Sequence, residues 1–383
     1  MLAALIFLNL TIIERLINLN LGFMVIGLGD LFIVFFLILN IFLSKKLYID
    51  KGAFYLAVGF FVIILISIIS NSTYFGLNTL ITIPAKIIVA SIIASQIIST
   101  KFDSRYILMI DFNIFLFTLA LIFLSDGSPF LNFEFFNRNE TIAYISCLFA
   151  LRTIYLFHSQ KIRFSSIQNF FSPLILISLC SFLVQSRQSI ISIIFFALFF
   201  YLSTSMSAFS FFKRGILSCG VIALLIFGLF NINLGGYSDS RLDTIRNLEP
   251  SNRADKQRLA NLLQSLQGFQ ESPIVGKGPT SFLRNNIYNK VAHNTYASTL
   301  YELGLLGMLI LFIFIRKLLY PLFARTYDTS NLMFLKAAGS FAIFFIIQSF
   351  FIEAFPKAPM YILLACSIFV KERLKYIEIN SQK

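Results

Sequence analysis

The sequence predicts an all-α polytopic membrane bundle of about twelve transmembrane helices, and three observations carry that prediction. Apolar residues make up 57% of the 383-residue chain and charged residues only 13%, where soluble domains are nearer half and a quarter. Several unbroken apolar runs approach or exceed the ~20 residues a helix needs to cross a bilayer. The runs are continuous rather than alternating, and lipid admits only helices or closed barrels across its core, so helices are expected.

Taken in order, the spans fall at roughly 2–17, 28–44, 52–70, 76–98, 105–124, 140–157, 167–185, 188–205, 215–233, 296–315, 332–351 and 355–370. Glu14 and Arg15 cut the first one short. It lacks the basic start and small-residue cleavage site of a signal peptide, so it is expected to be retained. Alternate connections carry the cations: Lys45, Lys46 and Lys51; Lys101 and Arg105; Arg152, Lys161 and Arg163; Lys213 and Arg214; Arg316, Lys317 and Arg325; then Lys371, Arg373 and Lys375. Such connections stay cytoplasmic, so both termini are expected inside. The chain then divides into N-terminal membrane helices over 1–233, an external loop over 234–295, and C-terminal membrane helices with a short tail over 296–383.

The net charge of +13 is spread through these connections instead of forming a basic domain. It fixes orientation in the bilayer, and nucleic acid is not an expected partner. Cys147, Cys180, Cys219 and Cys366 all lie within apolar runs and none pairs as CxxC. Neither a disulfide nor a zinc site is indicated; small buried hydrophobes are expected.

The polar exception runs from about Gly235 to Gly307, where Arg, Asp, Asn and Gln replace Phe, Ile and Leu. Within it, Ala254 to Gln270 reads as an amphipathic helix with Leu259, Leu262, Leu263, Leu266 and Phe269 along one face. Ser251 or Asn252 can cap its start, and Pro273 ends it. That apolar face can rest on the bilayer surface or pack on the bundle, and both readings stand at this point. Gly276-Lys277-Gly278 lacks the full spacing of a phosphate loop and reads as a tight turn.

His293 and Asn294 immediately precede an apolar helix, with Glu302 following. No second histidine or cysteine is near, so His293 is not expected to build a metal cluster. Arg187 is the single charge in a short external turn between two apolar helices, where a charge is costly and calls for an anionic partner. With Arg241, Arg246, Arg253, Arg258 and Arg284 it could form an external guanidinium cluster suited to phosphate. Lys86 lies inside a span beside Pro84, and an intramembrane lysine is a functional candidate by default.

At these residues the sequence resembles the O-antigen ligase and polymerase superfamily of bacterial membrane glycosyltransferases. His293-Asn294, nine intervening residues, then Gly304 and Gly307 are similar to the family's His-Asn…Gly-x-x-Gly pattern. Arg258, fifteen residues before Pro273-x-x-Gly276-x-Gly278, resembles the arginine heading the loop helix and its Pro–Gly turn. Ser186-Arg187 resembles the family's arginine in a short external hairpin. Arg253 competes with Arg258 in this alignment, and the aromatic often found after that arginine is missing.

The resemblance implies a GT-C-like bundle in the bacterial inner membrane, acting at the periplasmic face on undecaprenyl-diphosphate-linked oligosaccharide without a metal or other cofactor. It gives Arg187 and Arg258 the diphosphate and His293 the role of general base. Arg241, Arg253, Arg284, Asn294 and Lys86 are further candidates for substrate binding, and a chain-length regulator protein is a further partner. O-antigen polymerase is favoured over O-antigen ligase on the wording of the motifs. A transporter or flippase of the lipid-linked oligosaccharide is the other class weighed, and it would call for broken helices near mid-bilayer and pseudo-symmetric halves.

Overall fold

The computed structural model describes residues 18–20, 25–27, 49–72, 77–99, 103–125, 138–159, 175–181, 187–203, 253–286, 292–324, 329–350 and 358–381. Apart from a short antiparallel ribbon, β1 (Asn18–Asn20) with β2 (Val25–Gly27), pairing Leu19 with Ile26, its regular elements are helices. They are α1 (Lys51–Asn71), α2 (Leu77–Ser99), α3 (Ser104–Ser125), α4 (Arg138–Ser159), α5 (Arg187–Ser203), α6 (Arg253–Glu271), α7 (Ser281–Asn285), α8 (Thr295–Leu318), α9 (Tyr320–Phe323), α10 (Thr329–Gln348) and α11 (Ala358–Ser381). The spans expected at 2–17, 28–44 and 215–233 lie outside the described residues.

Lys51–Asn71, Thr79–Ile98, Ser104–Leu121 and Thr295–Leu318 are long and apolar enough to cross a membrane. Thr141–Phe157, Gln188–Ser203 and Leu332–Gln348 are shorter apolar helices. The protein is a membrane protein, and its described part is a helical bundle. Phenylalanine supplies much of the packing between helices. Phe341 of α10 lies between Phe149 of α4, at 6.1 Å, and Phe196 of α5, at 4.7 Å. Phe314 of α8 meets Phe60 of α1 and Tyr361 of α11 edge-on. Such aromatic pairs add about 0.5–1.5 kcal/mol each beyond their buried area. Cys147, Cys180 and Cys366 are free and buried, as small core residues.

The bundle has two chemically different ends. At one, Asp50 caps α1 by accepting from the Ala53 amide at 2.8 Å, and its other carboxylate oxygen accepts from Lys371 of α11 at 2.7 Å. Its own amide donates to Ser91 of α2. Burial pushes the Asp50 carboxyl up, but Lys371 and the Ala53 amide outweigh that and hold it below its ordinary value. The cationic C-terminal turns of α8 (Arg316, Lys317) and α11 gather at this end. At the opposite end lie Ser67 and Asn71 of α1, the starts of α5 and α8, and the end of α10.

Candidate functional site

The polar segment is built into the bundle through a break in α8. Gly304 sits at φ 61°, ψ −153° inside that helix, a region only glycine enters readily. The break frees two carbonyls and two amides, and the turn after α6 takes all four. Lys277 donates to the Tyr301 carbonyl at 2.8 Å and Gly278 to that of Glu302 at 3.0 Å. In return Leu305 donates to Pro273 at 2.9 Å and Leu306 to Ile274 at 3.2 Å. A side chain on Gly276 would strike the backbone of Glu302 and Leu303, and one on Gly304 would strike that of Ile274 and Gly276. The Pro273-x-x-Gly276-x-Gly278 turn and the Gly304 break are therefore one backbone splice.

Two residues of α1 that the sequence reading did not single out lock the splice. Ser67 donates to the Val275 carbonyl at 2.7 Å and lies 3.1 Å from that of Glu302. Asn71 donates through Nδ2 to the Gly276 carbonyl at 3.0 Å and to the Ser67 carbonyl at 2.8 Å. Polar residues four apart in an otherwise apolar span lie on one helix face and are the signal that could have found them. Lys277 pairs with Glu271 at 2.5 Å, which accounts for its charge within the turn.

Helix α6 forms over 253–271, as its periodicity and Pro273 predict, and its leucines turn away from the bundle. Its buried residues are Asn261, Ser265 and Gly268, while Leu259, Leu262, Leu263 and Leu266 are exposed, Leu263 by 57%. The small, polar side packs on α8, where Gly268 lies against the Tyr301 ring. Amide side chains close the gap beneath it: Asn286 donates to Asn261 at 2.9 Å, Gln264 to the Asn285 carbonyl at 2.9 Å, and Asn285 to the Tyr301 hydroxyl at 3.0 Å. The alternative in which the leucines pack on the bundle does not hold.

His293 stands at the start of α8 with φ 53°, a left-handed conformation in which histidine is among the more tolerated side chains. It is half-buried. Asn294 follows as N-cap, its Oδ1 accepting from Tyr296 and Ala297 at 3.0 Å each. Thr295 donates its amide to the Ser349 carbonyl at 2.9 Å. The first amides of α8 are thus taken internally, so the charge to hold an anion here has to come from side chains.

The same corner joins α5. Gln348, the last residue of α10, donates to the Ser189 hydroxyl at 2.8 Å, two residues beyond Arg187. The end of α10 therefore connects the start of α5, led by Arg187, to the start of α8, led by His293. Arg187 and Arg253 each open a helix. Arg258 is exposed near the start of α6, and Arg284 is exposed in the last turn of α7. Desolvation lowers the Arg284 guanidinium from its ordinary value, and it remains charged at physiological pH. Arg241 lies outside the described residues.

Lys86 is 3% exposed within α2. At 1.5 Å per residue it lies about 13 Å along the helix from Leu77, inside the bundle and not at the end that carries His293. Among the described residues no group of three or more His, Cys, Asp or Glu could hold a metal ion.

Residues 172–312 match the family model described as O-antigen ligase. For that segment, which contains Arg187, Arg258, His293, Gly304 and Gly307, the match supports the O-antigen ligase and polymerase superfamily indicated by the motifs. No curated protein matches the chain.

Proposed function

We propose that this protein transfers a glycan from an undecaprenyl diphosphate carrier to a sugar hydroxyl at the periplasmic surface of the inner membrane. The observation that carries the proposal is the pair of bonds at the end of α10, Gln348 to Ser189 and Thr295 to Ser349, which put the starts of α5 and α8 at one corner. Arg187 and His293 lead those two helices. In the reaction His293 takes the proton from the acceptor hydroxyl, whose oxygen attacks the anomeric carbon. The bond from that carbon to the diphosphate breaks with inversion, and its electron pair leaves on the diphosphate oxygen. Arg187 and Arg258 meet that charge, and preorganised cations of this kind lower such barriers. Arg253, Arg284 and Arg241 extend the basic surface. The basic end of the bundle is cytoplasmic on this reading, as are both termini.

The exposed leucines of α6 fit the same picture. A helix whose polar side packs on protein and whose leucines face out suits the outer boundary of the bilayer, beside a substrate whose lipid lies in the membrane. A transporter would keep the polar groups of a broken helix for its cargo. Here the groups freed at Gly304 are already bonded to 273–278.

We assign the acceptor as a new lipid-linked repeat unit, which makes the protein an O-antigen polymerase. The description of the matched family favours a second reading, ligation of the finished glycan to lipid A-core. Replacing His293 or Arg187 with Ala in the native host separates them on a lipopolysaccharide gel. A ladder collapsed to a single repeat means polymerase; loss of all O-antigen with lipid-linked polymer accumulating means ligase. An unchanged ladder from stably expressed protein overturns the assignment of either enzyme.

A further inference from the structure

The joint between α5 and α10 holds an unusual feature. Among the described residues three buried side-chain polar atoms have no hydrogen-bond partner, and two are Gln188 Oε1 and Gln348 Oε1. Gln188 is 6% exposed and Gln348 fully buried. A buried carbonyl left without a donor is costly, and native proteins keep few of them. Both sit on helices that are mostly apolar, where an apolar side chain would fill the space without that cost. Turning the Gln348 amide over would let Ser189 donate to its oxygen, but would leave its nitrogen in the orphaned position instead. The shortfall belongs to the site, whichever way that amide points.

An amide oxygen accepts hydrogen bonds and donates none, so it attracts hydroxyl groups and repels phosphate oxygens. Guanidinium does the opposite. Gln188 directly follows Arg187, and Gln348 bonds to Ser189 in the same turn. A ligand bearing a diphosphate next to hydroxyl groups has both halves of this pattern.

We propose that Gln188 and Gln348 form a saccharide-binding position, in which their amide oxygens accept from hydroxyl groups of the sugar nearest the diphosphate. It rests on the glycosyl-transfer reading and deepens it by naming positioning residues for the sugar. Neither glutamine touches the reacting bond; they set where the anomeric carbon stands relative to His293.

The test uses full-length protein purified in lipid nanodiscs, with Gln188→Met and Gln348→Met compared with wild type. Thermal unfolding and steady-state transfer are measured, using a lipid-diphosphate-linked repeat-unit saccharide and a panel of its monodeoxy versions. Gln188→Met is expected to unfold no earlier than wild type, because it removes an unsatisfied acceptor. Its KM for the saccharide rises about tenfold, the order expected when one neutral hydrogen bond is lost. Wild type discriminates against at least one monodeoxy saccharide, and the variant loses that discrimination. Earlier unfolding with unchanged KM would assign the glutamines to the fold and overturn the proposal. So would undiminished discrimination among the deoxy saccharides. His293→Ala is run alongside: if it abolishes transfer while both Met variants behave as wild type, this inference alone falls. If folded His293→Ala keeps full transfer, the glycosyl-transfer reading falls with it.

Discussion

Thr295 donates its backbone amide to the carbonyl of Ser349 at 2.9 Å, so the first turn of α8, and His293 before it, stands on the end of α10. The cap that follows His293 is the next determinant of its position. Replacing Asn294 with Ala removes the acceptor for Tyr296 and Ala297 and should cost about 1 kcal/mol, read as earlier thermal unfolding. Asn294→Ser keeps a capping oxygen and should restore both stability and transfer. If Asn294→Ser restores stability but not transfer, Asn294 contacts substrate in addition to capping.

The splice at Gly304 is the least tolerant point of the polar segment. An alanine there would face a strained backbone, about 1–3 kcal/mol by itself, and would also meet the Ile274 carbonyl at 2.6 Å. Gly304→Ala is expected to give aggregated or poorly folded protein by fluorescence-detected size exclusion. A well-folded, active Gly304→Ala protein would mean that α8 is continuous through this point.

The leucine face of α6 can be located directly, because the chain contains no tryptophan. Leu263→Trp supplies a single indole on the exposed face. In nanodiscs its fluorescence should be quenched by brominated acyl chains. Weak quenching would place the helix in water.

At the opposite end, the Asp50–Lys371 pair predicts an acid-sensitive contribution to stability. The folded-state value of Asp50 lies below its ordinary one, which is about 3.9 in the unfolded chain. Its contribution is complete above that ordinary value and is lost as pH falls through the depressed one. Asp50→Asn should unfold earlier at neutral pH, with the gap from wild type closing below about pH 4. A pH-independent gap would contradict a contribution from the ionised Asp50–Lys371 pair.

Much of the bundle was legible in the sequence. The span read at 52–70 is α1, 51–71, and the span at 296–315 is α8, 295–318. Apolar runs of this length, bounded by a capping Asp50 or Asn294, admit little else. The helix over 254–270 was read from its leucine spacing and differs by one residue at each end. Which side its leucines face was not legible, since periodicity locates a stripe and not its partner, and a bilayer offers an apolar partner outside the protein. The break at Gly304 was hidden inside an unbroken apolar run, because glycine is common in membrane helices. Its four replacement bonds come from 273–278, a polar turn that reads as surface. The glutamines were missed for a similar reason: their meaning depends on Ser189 and Gln348 being neighbours, 159 residues apart.

The central claim is that the start of α8 carries the base of a glycosyl transfer. Its most direct test is transfer by purified protein from a lipid-diphosphate-linked repeat-unit donor, comparing wild type with His293→Ala of matched thermal stability. Loss of a general base predicts a fall of about 10²- to 10⁴-fold in rate, with binding of the diphospholipid donor retained. A folded His293→Ala protein turning over within twofold of wild type would contradict the account.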